Sequence, residues 1–131
     1  MRPARFSLLG FLATMVACAS PTAPSVEGVW GGTEASLSLA RDGGVVTYLC
    51  GSGTMDSSWT LSRDGQLAGT GVHFFGGGPI PPGGQPPHPA RYSARIDGNT
   101  MMLTVTVTDL GQTLGPFRMV RGGAVVSEMC V

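Results

Sequence analysis

The sequence holds no lysine; its eight basic residues are all arginine, and eight acidic residues balance them to a formal net charge of zero at pH 7. That balance leaves no basic face of the kind nucleic acid requires. Cysteines number three, at positions 18, 50 and 130, with no CxxC pair. These are too few ligands for a cysteine metal site. The only histidines, His73 and His88, lack HxxxH spacing, so no metal or cofactor is implied. No GxSxG elbow marks a nucleophilic serine. Glycine-rich runs at 51–54 and 76–78 precede no helical pattern, so neither supports a phosphate cradle. The apolar run from Phe6 to Ala17 is too short to span a bilayer as a helix.

What is present is alternation. Met101, Leu103, Val105 and Val107 alternate with Met102, Thr104, Thr106 and Thr108, which is the period of a half-buried strand. Asp109 to Gly111 supplies a turn, and Phe117, Met119 and Arg121 then share one face of a return arm. The same reading predicts strands beginning at Glu27, over Ala35–Leu39, over Val46–Cys50, over Met55–Leu61, over Gln66–Phe75 and over Ala90–Ile96. Gly51 to Gly53 is expected to break the third strand, and a short closing strand is expected over Val125–Val131. Asp-Gly pairs at 42–43, 64–65 and 97–98 mark tight turns. On the strand over 66–75 the inward positions are Leu67, Gly69, Gly71 and His73, with glycine where a curled sheet bends or another backbone comes close. Twenty-one glycines and ten prolines fit a turn-rich β domain, and 131 residues fit a single one. About eight strands at this length predict an all-β fold, a small antiparallel up-and-down barrel.

The amino-terminal stretch reads as an export signal over residues 1–19. Arg2 and Arg5 precede the apolar run, and small residues flank Cys18. The Met15-Val-Ala-Cys18 stretch resembles the bacterial lipobox, in which the cysteine is lipidated and becomes the mature first residue. Ordinary cleavage after Ala17-Cys-Ala19 is the alternative. On the first reading the protein is anchored to a membrane of the cell envelope; on the second it is secreted or periplasmic. Residues 20–26 are a polar tether and 27–131 the folded domain. With Cys18 lipidated or removed, Cys50 and Cys130 are left to oxidise in an exported protein. A bridge between them would close a loop of roughly 80 residues, worth about 4 kcal/mol in the chain-entropy model.

Gly28-x-Trp30 at the first strand is similar to the Gly-x-Trp of lipocalin and calycin barrels. In those barrels the Trp plugs the closed end and a late-strand Arg packs across it. The resemblance implies that role for Trp30 and Arg121. Over nearly the whole mature chain the sequence also resembles an uncharacterised family of small exported bacterial proteins. The carrying residues are Gly28-Val-Trp30-Gly-Gly32, the Cys50 to Asp56 stretch, His88 to Ser93, Asp97 to Thr106, Gly111 to Phe117, Arg121-Gly122 and Cys130. That likeness implies a fold and a disulfide but no reaction.

Candidate contact residues are His73, His88 and Tyr92. His88 reads as a loop residue before Pro89, and His73 as a wall or rim residue. Asp56 is expected to satisfy backbone donors at a strand bend. Trp59, Tyr48 and Tyr92 are core residues unless the barrel is open, when some of them would line a cavity. The Gly/Pro segment 76–89 is a long loop suited to covering a binding site or docking a partner. The expected function is non-enzymatic binding of a small apolar ligand or a protein partner at the end this loop covers. A cell-envelope assembly accessory with a filled interior is the alternative. A hydrolase or isomerase using Asp56, His73 or Tyr92 is a third reading, and it requires His73 within hydrogen-bond reach of a carboxylate.

Overall fold

The structure, a computed structural model, describes residue 10 and residues 25–126. Cys18, the rest of the export segment apart from Gly10, most of the tether, and Cys130 lie outside the described residues. Nine strands follow one another: β1 Gly28–Gly31, β2 Ala35–Ala40, β3 Gly43–Tyr48, β4 Gly51–Met55, β5 Thr60–Leu61, β6 Gln66–Phe75, β7 His88–Asp97, β8 Thr100–Val107 and β9 Gln112–Arg121. Eight close into an antiparallel up-and-down barrel. Each pairs with its neighbour in sequence, β4 pairs with β6, and β9 returns to β1. β5 is a two-residue spur paired to β6. This closed all-β barrel is compatible with a calycin-like fold.

The strand alternation dictates which side chains fill it. Met101, Leu103, Val105 and Val107 are fully buried, and Met119 meets Met101 across the β8–β9 pair. Burying each such side chain is worth about 1.5–3 kcal/mol. β9 carries one extra residue against β8: Leu103 faces Phe117 while Val105 faces Leu114. The bulge falls at Gly115-Pro116, where proline has no donor for the ladder. Leu114 and Phe117 lie an odd number of residues apart, so strict alternation would put them on opposite faces. The bulge brings both to the interior.

The β4–β6 seam depends on small residues. A Cβ at Gly71 would collide with the Thr54 carbonyl oxygen, and one at Gly53 would collide with the Tyr92 hydroxyl. Glycine at these positions lets the two strands close and leaves room for a phenol inside the wall.

Two expectations need correction. The third strand does end before Gly51, at Tyr48, but Gly51 to Gly53 is not a mere break: it opens β4, where absent side chains permit the seam. The strand expected over Met55–Leu61 ends at Met55, and only Thr60–Leu61 resumes pairing. Asp56 turns the chain, with its carboxylate accepting from the Ser58 amide, the Ser58 hydroxyl and the Thr70 hydroxyl. Of the closing strand expected over Val125–Val131, Val125 and Val126 lie in no strand and the remainder lies outside the described residues. The tail before them runs across Gly31, where a Cβ would meet the backbone of Gly123 and Ala124.

Up-and-down connectivity sorts the turns by end. Turns at 41–42, 56–65 and 98–99 share one end with the entry and exit of the chain; turns at 32–34, 49–50 and 108–111 share the other with the 76–87 loop.

Candidate functional site

Trp30 seals the first end. It is fully buried, and its indole N–H donates to the Val26 carbonyl at 2.9 Å. Arg121 is its direct partner across β1 and β9, with the guanidinium carbon 4.4 Å from the indole centroid. Trp59 donates to the Ala40 carbonyl at 2.9 Å on the same end, under Arg41. Both indoles are satisfied here, and a hollow of about 500 Å³ lies at this end, lined by Val26, Arg41, Trp59 and Leu61 among others.

The opposite end holds a cavity of about 370 Å³. Three strands supply its wall: Tyr48 near the end of β3, His73 and Phe75 at the end of β6, and Leu114 and Phe117 around the bulge of β9. Glu34, Cys50 and Gln112, from the turns and strand start at that end, line it as well. The rings form a continuous cluster. Tyr48 lies 5.3 Å from His73 and 5.4 Å from Phe117 by centroids, and His73 meets Phe75 edge-on at 4.4 Å. Such pairs are worth about 0.5–1.5 kcal/mol beyond their burial.

The polar atoms within this cluster are not satisfied. The Tyr48 hydroxyl and both ring nitrogens of His73 have no hydrogen-bond partner among the described residues. Their residues are only 5 % and 1 % exposed, so these atoms are enclosed by the barrel wall and not presented to the hollow. Leaving such a group unpaired costs about 1–3 kcal/mol. The Tyr92 hydroxyl is the polar neighbour that weighs on Tyr48's ionisation; its one proton goes to the Val72 carbonyl at 2.6 Å, so it can meet the Tyr48 hydroxyl only as an acceptor. Burial raises Tyr48 above its ordinary pKa and pushes Tyr92 up to about 12. Burial, and then the nearby His88, hold His73 below the ordinary imidazole value. At neutral pH all three are uncharged.

Of the candidate contacts, His73 lines the cavity and the other two do not. His88 opens β7 instead of sitting in the loop, because it pairs with His73 in the β6–β7 ladder. Its Nδ1 lies 2.8 Å from the Asp109 carboxylate, and Phe75 separates its ring from the cavity, 5.2 Å away edge-on. Tyr92 is buried in the wall beneath the site. Asp56 belongs to the sealed end, and no hydrogen bond joins His73 to a carboxylate among the described residues. Nor does any group of three or more His, Cys, Asp or Glu among them suit a metal ion.

The residues that sequence reasoning underweighted are Tyr48, Phe117 and Leu114. Tyr48 and His73 were findable by counting from the turns, since both face inward at the same end. Leu114 was not, because the bulge changes its face. No protein-family model, curated protein or solved structure matches the chain.

Proposed function

We propose that this protein is an exported, lipid-anchored binding module that takes a small apolar ligand at the open end of its barrel. The observation that carries the reading is the cavity of about 370 Å³, walled by the rings of Tyr48, His73, Phe75 and Phe117. Ligand sites are commonly apolar hollows with a few convergent polar groups. The buried Trp30, stacked under Arg121, fills the barrel at the other end, and the 76–87 loop shares the end that carries the hollow. The reading is of binding and not of catalysis: the His88–Asp109 pair is separated from the hollow by Phe75.

Anchoring belongs to the same proposal. Lipid on Cys18 would hold the domain at a membrane through the tether, and a Cys50–Cys130 bridge would fasten the carboxyl-terminal tail beside the cavity mouth, where Cys50 lies. On this proposal the protein is one of the small exported lipoproteins that its sequence resembles, a reading the barrel fold supports.

The test is titration of the full mature protein with N-phenyl-1-naphthylamine, a neutral apolar fluorophore. Saturable enhancement is expected for the wild type, with loss on Leu114→Trp, which fills the hollow. Circular dichroism and thermal unfolding of the variant check that it folds. Absence of binding to the wild type would favour the filled-barrel envelope accessory.

A further inference from the structure

The hollow and its mouth differ in character, and the difference specifies more than an apolar ligand. We propose that the site takes a cationic amphiphile, with one apolar chain seated among the rings and a positively charged head held at the mouth beside Glu34. This inference rests on the ligand-binding reading and narrows it.

No polar group faces the interior. Leu49, Phe75, Leu114 and Phe117 keep exposed surface toward the hollow, whereas the Tyr48 hydroxyl and the His73 nitrogens are enclosed by the wall. A polar group pushed into this space would lose its water and find no partner. The inserted part is therefore apolar, and each methylene it buries contributes to binding. Glu34, from the 32–34 turn, and Gln112, from the start of β9, also line the hollow, and both are exposed. They stand where a head group that remains in water would sit.

Charge decides the sign of that head. The connections at this end, 32–34, 49–50, 76–87 and 108–111, carry two charged side chains, Glu34 and Asp109, and no arginine. The Asp109 carboxylate lies 2.8 Å from His88 Nδ1, while Glu34 pairs with no basic side chain among the described residues. Arg41 and Arg63 lie on turns at the other end. An anionic head would meet Glu34 as a like charge; a cationic head meets an unpaired counter-charge. Because Glu34 is exposed, the preference is modest and screened by salt.

Displacement of N-phenyl-1-naphthylamine from the full mature protein tests this, at pH 7.5 and low ionic strength. The competitors are octyltrimethylammonium, octyldimethylamine oxide and octanoate, each kept below the concentration at which it forms micelles. They share a chain and differ in the head: positive, neutral overall, negative. We expect the cation to bind about threefold more tightly than the amine oxide and about tenfold more tightly than octanoate. Hexyltrimethylammonium should bind about tenfold more weakly than the octyl compound. In Glu34→Gln the three octyl compounds should fall within about twofold of one another. Asp42→Asn, on a turn at the other end, should keep the wild-type order. Both positions are exposed turn residues, so neither variant disturbs the core. If octanoate or the amine oxide binds as well as the cation, or Glu34→Gln leaves the order unchanged, the head assignment is wrong while the site stands. If the hexyl and octyl compounds bind equally, or no competitor displaces the fluorophore, the seated chain is wrong while the site stands. If the fluorophore itself does not bind, the ligand-binding reading falls and this inference with it.

Discussion

Arg121 lies over Trp30, its guanidinium carbon 4.4 Å from the indole centroid, and the two are direct partners where the last strand meets the first. The β1–β9 ladder pairs only Trp30 with Arg121 and Gly31 with Val120. The ladder is short, with one further bond from the Gly122 amide to the Val29 carbonyl at 2.8 Å, so the stacked pair is expected to strengthen the joint. Arg121 also reaches the Glu27 carbonyl through Nη1 at 3.4 Å. Replacing Arg121 by Ala should cost about 1–2 kcal/mol through the lost cation–π contact and stem packing. Trp30→Ala should cost about 3–5 kcal/mol. Urea unfolding of both single variants and the double variant gives the coupling. A coupling near zero would mean the stack contributes nothing to closure.

The β4–β6 seam makes a sharper prediction. Gly71→Ala places a methyl group against the Thr54 carbonyl, backbone that cannot rotate away. A loss of about 2–3 kcal/mol or more is expected. Gly98→Ala is the control: φ is +58° there, but no atom lies within 4 Å of the added carbon. Its cost should be only the conformational one, about 1–2 kcal/mol. Thermal unfolding ranks the two, and the reverse order would contradict the seam geometry.

Much of this was legible in the sequence because its carriers are local. Alternation placed Met101, Leu103, Val105 and Val107 inside, and Asp-Gly pairs placed the turns. Leu67, Gly69, Gly71 and His73 share the inward face of β6 as the pattern implied. What escaped has long-range causes. The β4 glycines look like a break until their partner strand is known. Leu114 looks outward until the Gly115-Pro116 bulge is seen. His88 and Asp109 lie 21 residues apart and meet only through the β7–β8 pairing. The cavity itself is a vacancy between β3, β6 and β9, and no stretch of sequence encodes a vacancy.

Acid should destabilise the fold through His73. Its folded pKa lies below the unfolded value of about 6.5. Above that value both states are neutral and the term is absent. As pH falls through it, the unfolded state binds a proton that the folded state refuses, so stability drops until the folded pKa is reached. The titratable groups around it are Tyr48, neutral throughout, and His88. Asp56 acts further down: hydrogen bonds from Ser58 and then Thr70 hold its pKa below the usual carboxylate value. Its contribution is present above that ordinary value and fades as pH falls through the folded one. Urea midpoints between pH 8 and pH 5 should decline for the wild type and flatten in His73→Phe; equal slopes would remove His73 from the account.

The proposed bridge predicts that the mature protein loses two hydrogens in mass relative to its reduced form. Reduction should cost about 4 kcal/mol in the chain-entropy model. Intact mass spectrometry of protein from its own host reads the bridge and any lipid on Cys18 together. An unmodified, fully reduced chain beginning after residue 19 would contradict both.

The central claim, that the ring-walled hollow around His73 receives a ligand, is tested most directly by isotope-filtered nuclear Overhauser spectroscopy of labelled protein with unlabelled N-phenyl-1-naphthylamine. The account predicts cross-peaks from the probe to the ring protons of Tyr48, His73 and Phe117 and to the methyl groups of Leu114. Cross-peaks confined to Trp59 and Leu61 at the sealed end, or to Ile80 in the loop, would contradict it.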